Sequence, residues 1–196
     1  MLLRDRRRTQ RERSAATRAA LAAAARDLFT ERGFHGTPAE LVVRRAGVTS
    51  GALYHHFSDK RALFRAVFDA AERGLAERVA AAARGGLDPW DRLERGVVEY
   101  LRACGEPDVR RIVLQDGPSV LGWEEWHALD AAHHLRPLAA SLAGCMRAGL
   151  VERHPPVPLA HVLLGALTEA GLGAPEGAAE TALWLVRRLS REPKPS

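Results

Sequence analysis

The segment TPAELVVRRAGVTSGALYHHFSDKRALF, residues 37–64, constrains the fold most tightly, because it spells two short helices, a tight turn and the start of a third helix. Thr37 stands before Pro38 at a first helical position and three residues ahead of Glu40. That is the pattern of a capping box, with a proline where a missing N–H costs nothing. Leu41, Val42 and Ala46 give this helix one apolar face, and Gly47 offers the left-handed conformation that ends it. Thr49 or Ser50 then supplies a side-chain oxygen for the next free N–H groups, and Leu53 with Phe57 marks the buried side of a second helix of barely two turns. Ser50, Gly51, Tyr54, His55 and His56 lie on its other side. Ser58 and Asp59 cap a third helix, whose apolar residues Phe64, Phe68, Ala71, Leu75 and Val79 recur at three- and four-residue spacing.

Upstream of this segment stand Thr17-Arg18 and Leu28-Phe29-x-x-x-Gly33-Phe34-x-x-Thr37. With Ala46-Gly47-Val48-Thr49-x-Gly51-x-Leu53-Tyr54-x-x-Phe57-x-x-Lys60-x-x-Leu63, they form a pattern that resembles the DNA-binding domain of the tetracycline-repressor (TetR) family of bacterial transcription regulators. The resemblance covers roughly the first third of the chain, and the rest is similar only in length and helical character. It implies an all-α fold of about nine helices: an N-terminal three-helix helix-turn-helix domain and a C-terminal helical domain that binds an effector and forms the dimer. It also implies a phosphate contact from Lys60. The residues themselves turn Ser50, Gly51, Tyr54, His55 and His56 toward the major groove, with Ser50 and His55 as the base readers. Thr37, Tyr54 and Lys60 fall to phosphates, at helix starts whose free N–H groups attract anions. Thr49 belongs to the same DNA-binding set.

Charge follows the same division. Residues 1–61 hold 13 Lys/Arg against 6 Asp/Glu, an excess of +7, while residues 62–196 carry −2. A basic end is the footprint of phosphate binding through counterion release, and equally of a solubilising terminus. Six arginines crowd residues 4–13 without an apolar period. Residues 1–15 are therefore expected to form a disordered basic arm, followed by a DNA-binding domain over 16–61, a second domain over 62–191 and a tail over 192–196. Met1-Leu2-Leu3 is too short for a signal-peptide core, and no run of 18 apolar residues suits a membrane span, so a cytoplasmic protein without a membrane partner is expected. Cys104 and Cys145 are the two cysteines, far apart and without metal-ligand spacing; no disulfide, zinc ribbon or cofactor is expected. Lysine occurs only at Lys60 and Lys194. In a chain that otherwise uses arginine, Lys60 reads as a compact point charge where a planar fork fits poorly, unless chance retained it.

Beyond Asp88, proline and glycine punctuate helices over 89–103, 108–115, 123–148, 158–172 and 175–189, which with four before Gly86 makes nine. Gly117-Pro118 reads as a break compatible with a hinge. The last two helices carry apolar stripes that include Leu163, Leu167, Leu183 and Val186, suited to an intermolecular four-helix bundle or to an ordinary core. Tyr100, Trp123 and Trp126, with His127 or Arg111 as a polar anchor, would line an effector cavity or simply fill the interior. His127, Asp130 and His134 stand at i−3 and i+4 spacing and form a candidate metal set. They underlie the alternative of a helical metal-dependent hydrolase, which lacks a recognisable nucleophile, phosphate loop or HExxH helix. A dimeric protein-binding adaptor is a third reading, opposed by the intact Tyr54 and Lys60. The leading expectation is not an enzyme. It is a homodimeric transcription regulator, a repressor of palindromic double-stranded operator DNA that a small-molecule effector releases.

Overall fold

A computed structural model of the chain describes residues 2–172 and 177–190, with side chains from Gln10 onward. The described residues form nine α-helices and one π-helix. In order they are α1 Leu2–Arg32, α2 Ala39–Ala46, α3 Ser50–His56, α4 Lys60–Arg84, α5 Pro89–Cys104, the π-helix Val109–Asp116, α6 Gly117–Leu121, α7 Trp123–Arg147, α8 Pro156–Gly171 and α9 Ala178–Arg187. Strand pairing among the described residues is a lone antiparallel bridge between Val151 and Ser190. The chain divides into two compact units, Met1–Ala70 and Ala71–Ser196. The division falls inside α4, which runs from Lys60 to Arg84.

The first unit is built on a phenylalanine cluster. Phe29 and Phe34 each meet Phe64, with ring centroids 5.4 and 5.3 Å apart in edge-on geometry. Leu21, Leu28, Val42, Leu53 and Leu63 close around them fully buried. Each such side chain contributes about 1.5–3 kcal/mol by leaving water. Gly47 takes φ +66 and ends α2, as the sequence predicts. The basic arm is different from expectation: residues 2–15 are the first turns of α1. No glycine or proline interrupts this stretch, and its arginine, glutamine and glutamate are good helix formers, so the alanine-rich helix behind it extends through it.

The second unit packs α5, α7, α8 and α9 with the later part of α4. Asp88 caps α5 by accepting the N–H groups of Trp90 and Asp91 at 2.8 and 2.9 Å. Arg78 of α4 donates to Glu99 at 3.0 Å and to Glu106, and Arg102 adds a second guanidinium to the same two carboxylates. These bonds hold both acids below the usual carboxylate range. Gly171 has a close-approach role, since a Cβ there would lie 2.8 Å from Cys104 Sγ, so α8 meets α5 only without a side chain. At Gly117-Pro118, where a break is expected, the π-helix ends at Asp116 and α6 begins at Gly117. Gly117 is right-handed helical and Pro118 occupies the first turn of α6, where its missing N–H removes no helix bond. The helix expected over 175–189 is observed as α9; residues 173–176 and the tail over 192–196, with Lys194, lie outside the described residues.

Candidate functional site

The recognition surface is assembled by α3. Thr49 caps the helix by accepting the Ala52 N–H at 3.2 Å, and Leu53 and Phe57 anchor one side in the core. The opposite side is left to solvent: Ser50, Gly51 and His55 are exposed, Tyr54 is 57% exposed, and His56 is half-buried against the His55 ring. Arg18 of α1 fixes the far end. Its guanidinium donates to the His56 carbonyl at 3.0 Å and lies 4.3 Å from the centre of the Phe57 ring. A groove between the two helices is lined by Arg11, Arg13, Arg18, Thr49, His55 and His56. Arg11 and Arg13 were not singled out from the sequence, although the arginine excess of the arm was their signal; Arg18 belongs to the Thr17-Arg18 pair of the family pattern.

Two of the expected phosphate contacts are placed otherwise. Thr37 is fully buried, and its hydroxyl faces the carbonyls of Gly33 at 2.8 Å and Leu28 at 3.2 Å. It neither caps α2, which has no side-chain cap, nor presents its side chain to DNA. The cause is Gly33, whose left-handed φ of +71 turns the chain so that Thr37 closes the end of α1. Lys60 also points inward. Its ammonium donates to the carbonyls of Phe34 at 3.0 Å and Thr37 at 3.2 Å and lies 4.1 Å from the Phe34 ring centre. A small cation with three N–H groups suits that carbonyl cage, and a planar guanidinium does not.

In the second unit, an apolar cavity of about 150 Å³ lies among α4, α5, α7 and α8, lined by Val79, Leu93, Val97, Tyr100, His134 and Leu167 among others. Of the expected effector contacts, Tyr100 alone is on its wall. Its hydroxyl is shared with Thr168 Oγ1 at 3.0 Å, and burial raises its phenol well above the ordinary value. Trp126 is buried elsewhere, donating its indole N–H to the Val113 carbonyl at 2.9 Å. Trp123 is 65% exposed, and His127 sits among the Trp123, Trp126 and His161 rings. Arg111 pairs with Asp116 at 3.4 Å. Spacing along α7 could not show that Trp126 turns to the π-helix and His127 to α8.

Beside the cavity is a buried polar knot. His134 Nε2 is 2.7 Å from Glu72 Oε2, and Asp130 joins them; one ligand atom from each of the three lies within 4.8 Å of the others. Glu72 Oε1 has no hydrogen-bond partner. Burial, and then the charge of Glu72, pushes the Asp130 carboxyl up to about 6. The set expected from sequence, His127, Asp130 and His134, is thereby corrected: Glu72 replaces His127, whose ring is held by the tryptophans. Glu72 had a sequence signal, an acid at i+4 from Phe68 and i−3 from Leu75 within the apolar stripe of α4.

The expected dimer stripe is also turned inward. Leu163, Leu167 and Val186 are buried within the protomer and Leu183 is half-buried. The outward faces carry Val162, 71% exposed, on α8 and Trp184, 52% exposed, with Leu185 on α9. Helices apolar on more than one side give no periodicity by which to choose between the two faces.

Residues 21–67 match the family of bacterial regulatory proteins called tetR, and residues 90–189 match the tetracyclin repressor-like C-terminal domain. The regulator UidR of Escherichia coli (strain K12) is 39% identical over 61 residues, covering 31% of this chain and 31% of that protein. The repressor BepR of Brucella suis biovar 1 is 34% identical over 109 residues, 55% of this chain and 52% of that one. The chain thus spans about a third to a half of the length of these curated relatives. A TetR-family regulator from Pectobacterium atrosepticum superposes with a TM-score of 0.82 at 30% identity, over 94% of this chain and 99% of its own. With matches along both units and an exposed α3 on a helix-turn-helix, the chain belongs to the TetR family of DNA-binding transcriptional regulators.

Proposed function

We propose that this regulator is a cytoplasmic homodimeric repressor that reads a palindromic operator through α3. The carrying observation is a recognition helix anchored on one side and open on the other, with Ser50, Gly51, Tyr54 and His55 exposed and the arginines of α1 flanking the groove. Ser50 and His55 read base edges. Tyr54, Thr49, Gly51 and His56 hold the helix against the backbone with Arg11 and Arg13, since phosphate contacts position and base contacts specify. Lys60 supports this surface from behind and keeps one N–H beyond its two carbonyl bonds. Dimerisation runs through the outward faces of α8 and α9 around Val162, Trp184 and Leu185. A two-fold protein on DNA then requires two-fold half-sites.

Residues from Ala71 on form the effector and dimer unit. The effector is a small apolar molecule, because the cavity wall offers aliphatic surface with few polar groups, and a volume of about 150 Å³ admits a benzene-sized body. It releases DNA only through different affinities for the two states of the dimer, and a ~100-fold loss of DNA affinity requires about 2.7 kcal/mol of that difference. The test is site selection from random DNA. Wild type should return an inverted repeat and His55→Ala an altered consensus. A random output from wild type would overturn the palindrome, and an unchanged consensus for His55→Ala would remove that residue from base readout.

A further inference from the structure

The geometry points to a divalent transition-metal site formed by Glu72 of α4 with Asp130 and His134 of α7. It stands independently of the operator and effector readings.

The three side chains are buried in the apolar interior of the second unit, and their nearest ligand atoms lie within 4.8 Å of one another. Donors around a four-coordinate ion with ligand distances of ~2.0–2.2 Å stand roughly 3–4 Å apart, so small rotations of Glu72 and His134 away from their 2.7 Å contact open room for the ion. Glu72 is wholly buried and its Oε1 accepts no hydrogen bond. A buried carboxylate oxygen without a partner is costly, and a cation between the side chains supplies one. Charge points the same way. Two carboxylates, Glu72 and Asp130, share this buried cluster with the single imidazole of His134.

The donor set decides the class of ion. One imidazole nitrogen with two carboxylates suits Zn²⁺, Fe²⁺ or Co²⁺; Ca²⁺ and Mg²⁺ favour oxygen alone. His134 also lines the cavity, so a coordination position on that side opens toward whatever occupies it. An ion here ties α4 to α7.

The experiment uses the full chain, stripped with a chelator and titrated with Zn²⁺ against a chromophoric competitor. Wild type should bind one ion per chain, Glu72→Gln and Asp130→Asn should each weaken binding at least tenfold, and His127→Ala should bind as wild type does. Absence of stoichiometric binding, or Glu72→Gln and Asp130→Asn both binding unchanged, overturns the site. Because either variant can fail to fold, X-ray absorption of the wild-type Co²⁺ complex gives a second arm. A shell of oxygens with a single imidazole supports the assignment. A shell with two or more imidazoles places the ion on other histidines such as the His127–His161 pair, whose rings are 5.3 Å apart, and overturns it.

Discussion

Lys60 shows how a single residue can carry two kinds of importance that sequence does not separate. Its ammonium satisfies two carbonyls that close the loop between α1 and α2. Lys60→Ala leaves those carbonyls without this partner and removes the contact with Phe34; urea unfolding should show a loss of about 1–3 kcal/mol. Lys60→Arg should not restore it, and a wild-type midpoint for Lys60→Ala would mean that the cage contributes nothing. Asp130 makes a prediction of opposite sign. Its carboxyl ionises at about 6 in the fold against 3.8 for a free aspartate side chain. The unfolded chain therefore releases the proton first, so the contribution of Asp130 to stability is full below about pH 4 and is lost as pH rises through 6. In the presence of a chelator, Asp130→Asn should be more stable than wild type at pH 7 by on the order of 1–3 kcal/mol, with the difference vanishing near pH 4. Equal stability of the two proteins at pH 7 would show that the folded pocket accepts the charge without penalty.

At the scale of the element, α8 distinguishes core from interface in adjacent residues. Leu163 is buried and Val162 exposed. Val162→Glu should give folded monomers with weak operator binding, read by light scattering and circular dichroism. Leu163→Glu should instead unfold the second unit, because it buries a charge without a partner. If Leu163→Glu folded as a stable monomer and Val162→Glu remained dimeric, the assignment of faces would be reversed. For α1, helix over residues 2–15 gives Arg11 and Arg13 a fixed placement along the groove beside α3. Replacing both with alanine should lower the salt slope of DNA binding by about two units if both neutralise phosphates, without changing the selected consensus.

For the whole molecule, the effector response should depend on empty volume rather than on the tryptophans. Ala76 and Ala80 face the cavity, so Ala80→Leu should fill part of it. The expected protein still binds operator and no longer releases it to compounds that act on wild type. Fluorescence of Trp123 and Trp126 should report such compounds weakly, since neither indole is on the cavity wall. A strong direct quench that disappears in Trp123→Phe, with Ala80→Leu still responsive, would move the effector to the exposed aromatic face of α7.

The helix-turn-helix was legible in the sequence because its determinants are local. Gly47 must be left-handed, Thr49 caps, and Leu53 and Phe57 share a side within two turns, so three-dimensional order adds little to what short-range spacing states. The same locality made Ser50, Tyr54 and His55 visible as an outward face. Thr37 and Lys60 were misplaced because their partners, Gly33, Leu28 and Phe34, are set by how α1 meets the loop, and a hydroxyl or ammonium reads alike whether it faces a carbonyl or a phosphate. In the second unit helix positions followed from proline, glycine and periodicity, but which face of α7 or α8 turns inward did not. That choice belongs to packing among helices distant in sequence, and it brought Glu72 across 62 residues to His134 while holding His127 apart. Sequence determined most of the helices and their motif; tertiary packing decided which polar groups became a surface, a cavity wall or a buried cluster, because burial is a property of the neighbours that arrive from elsewhere in the chain.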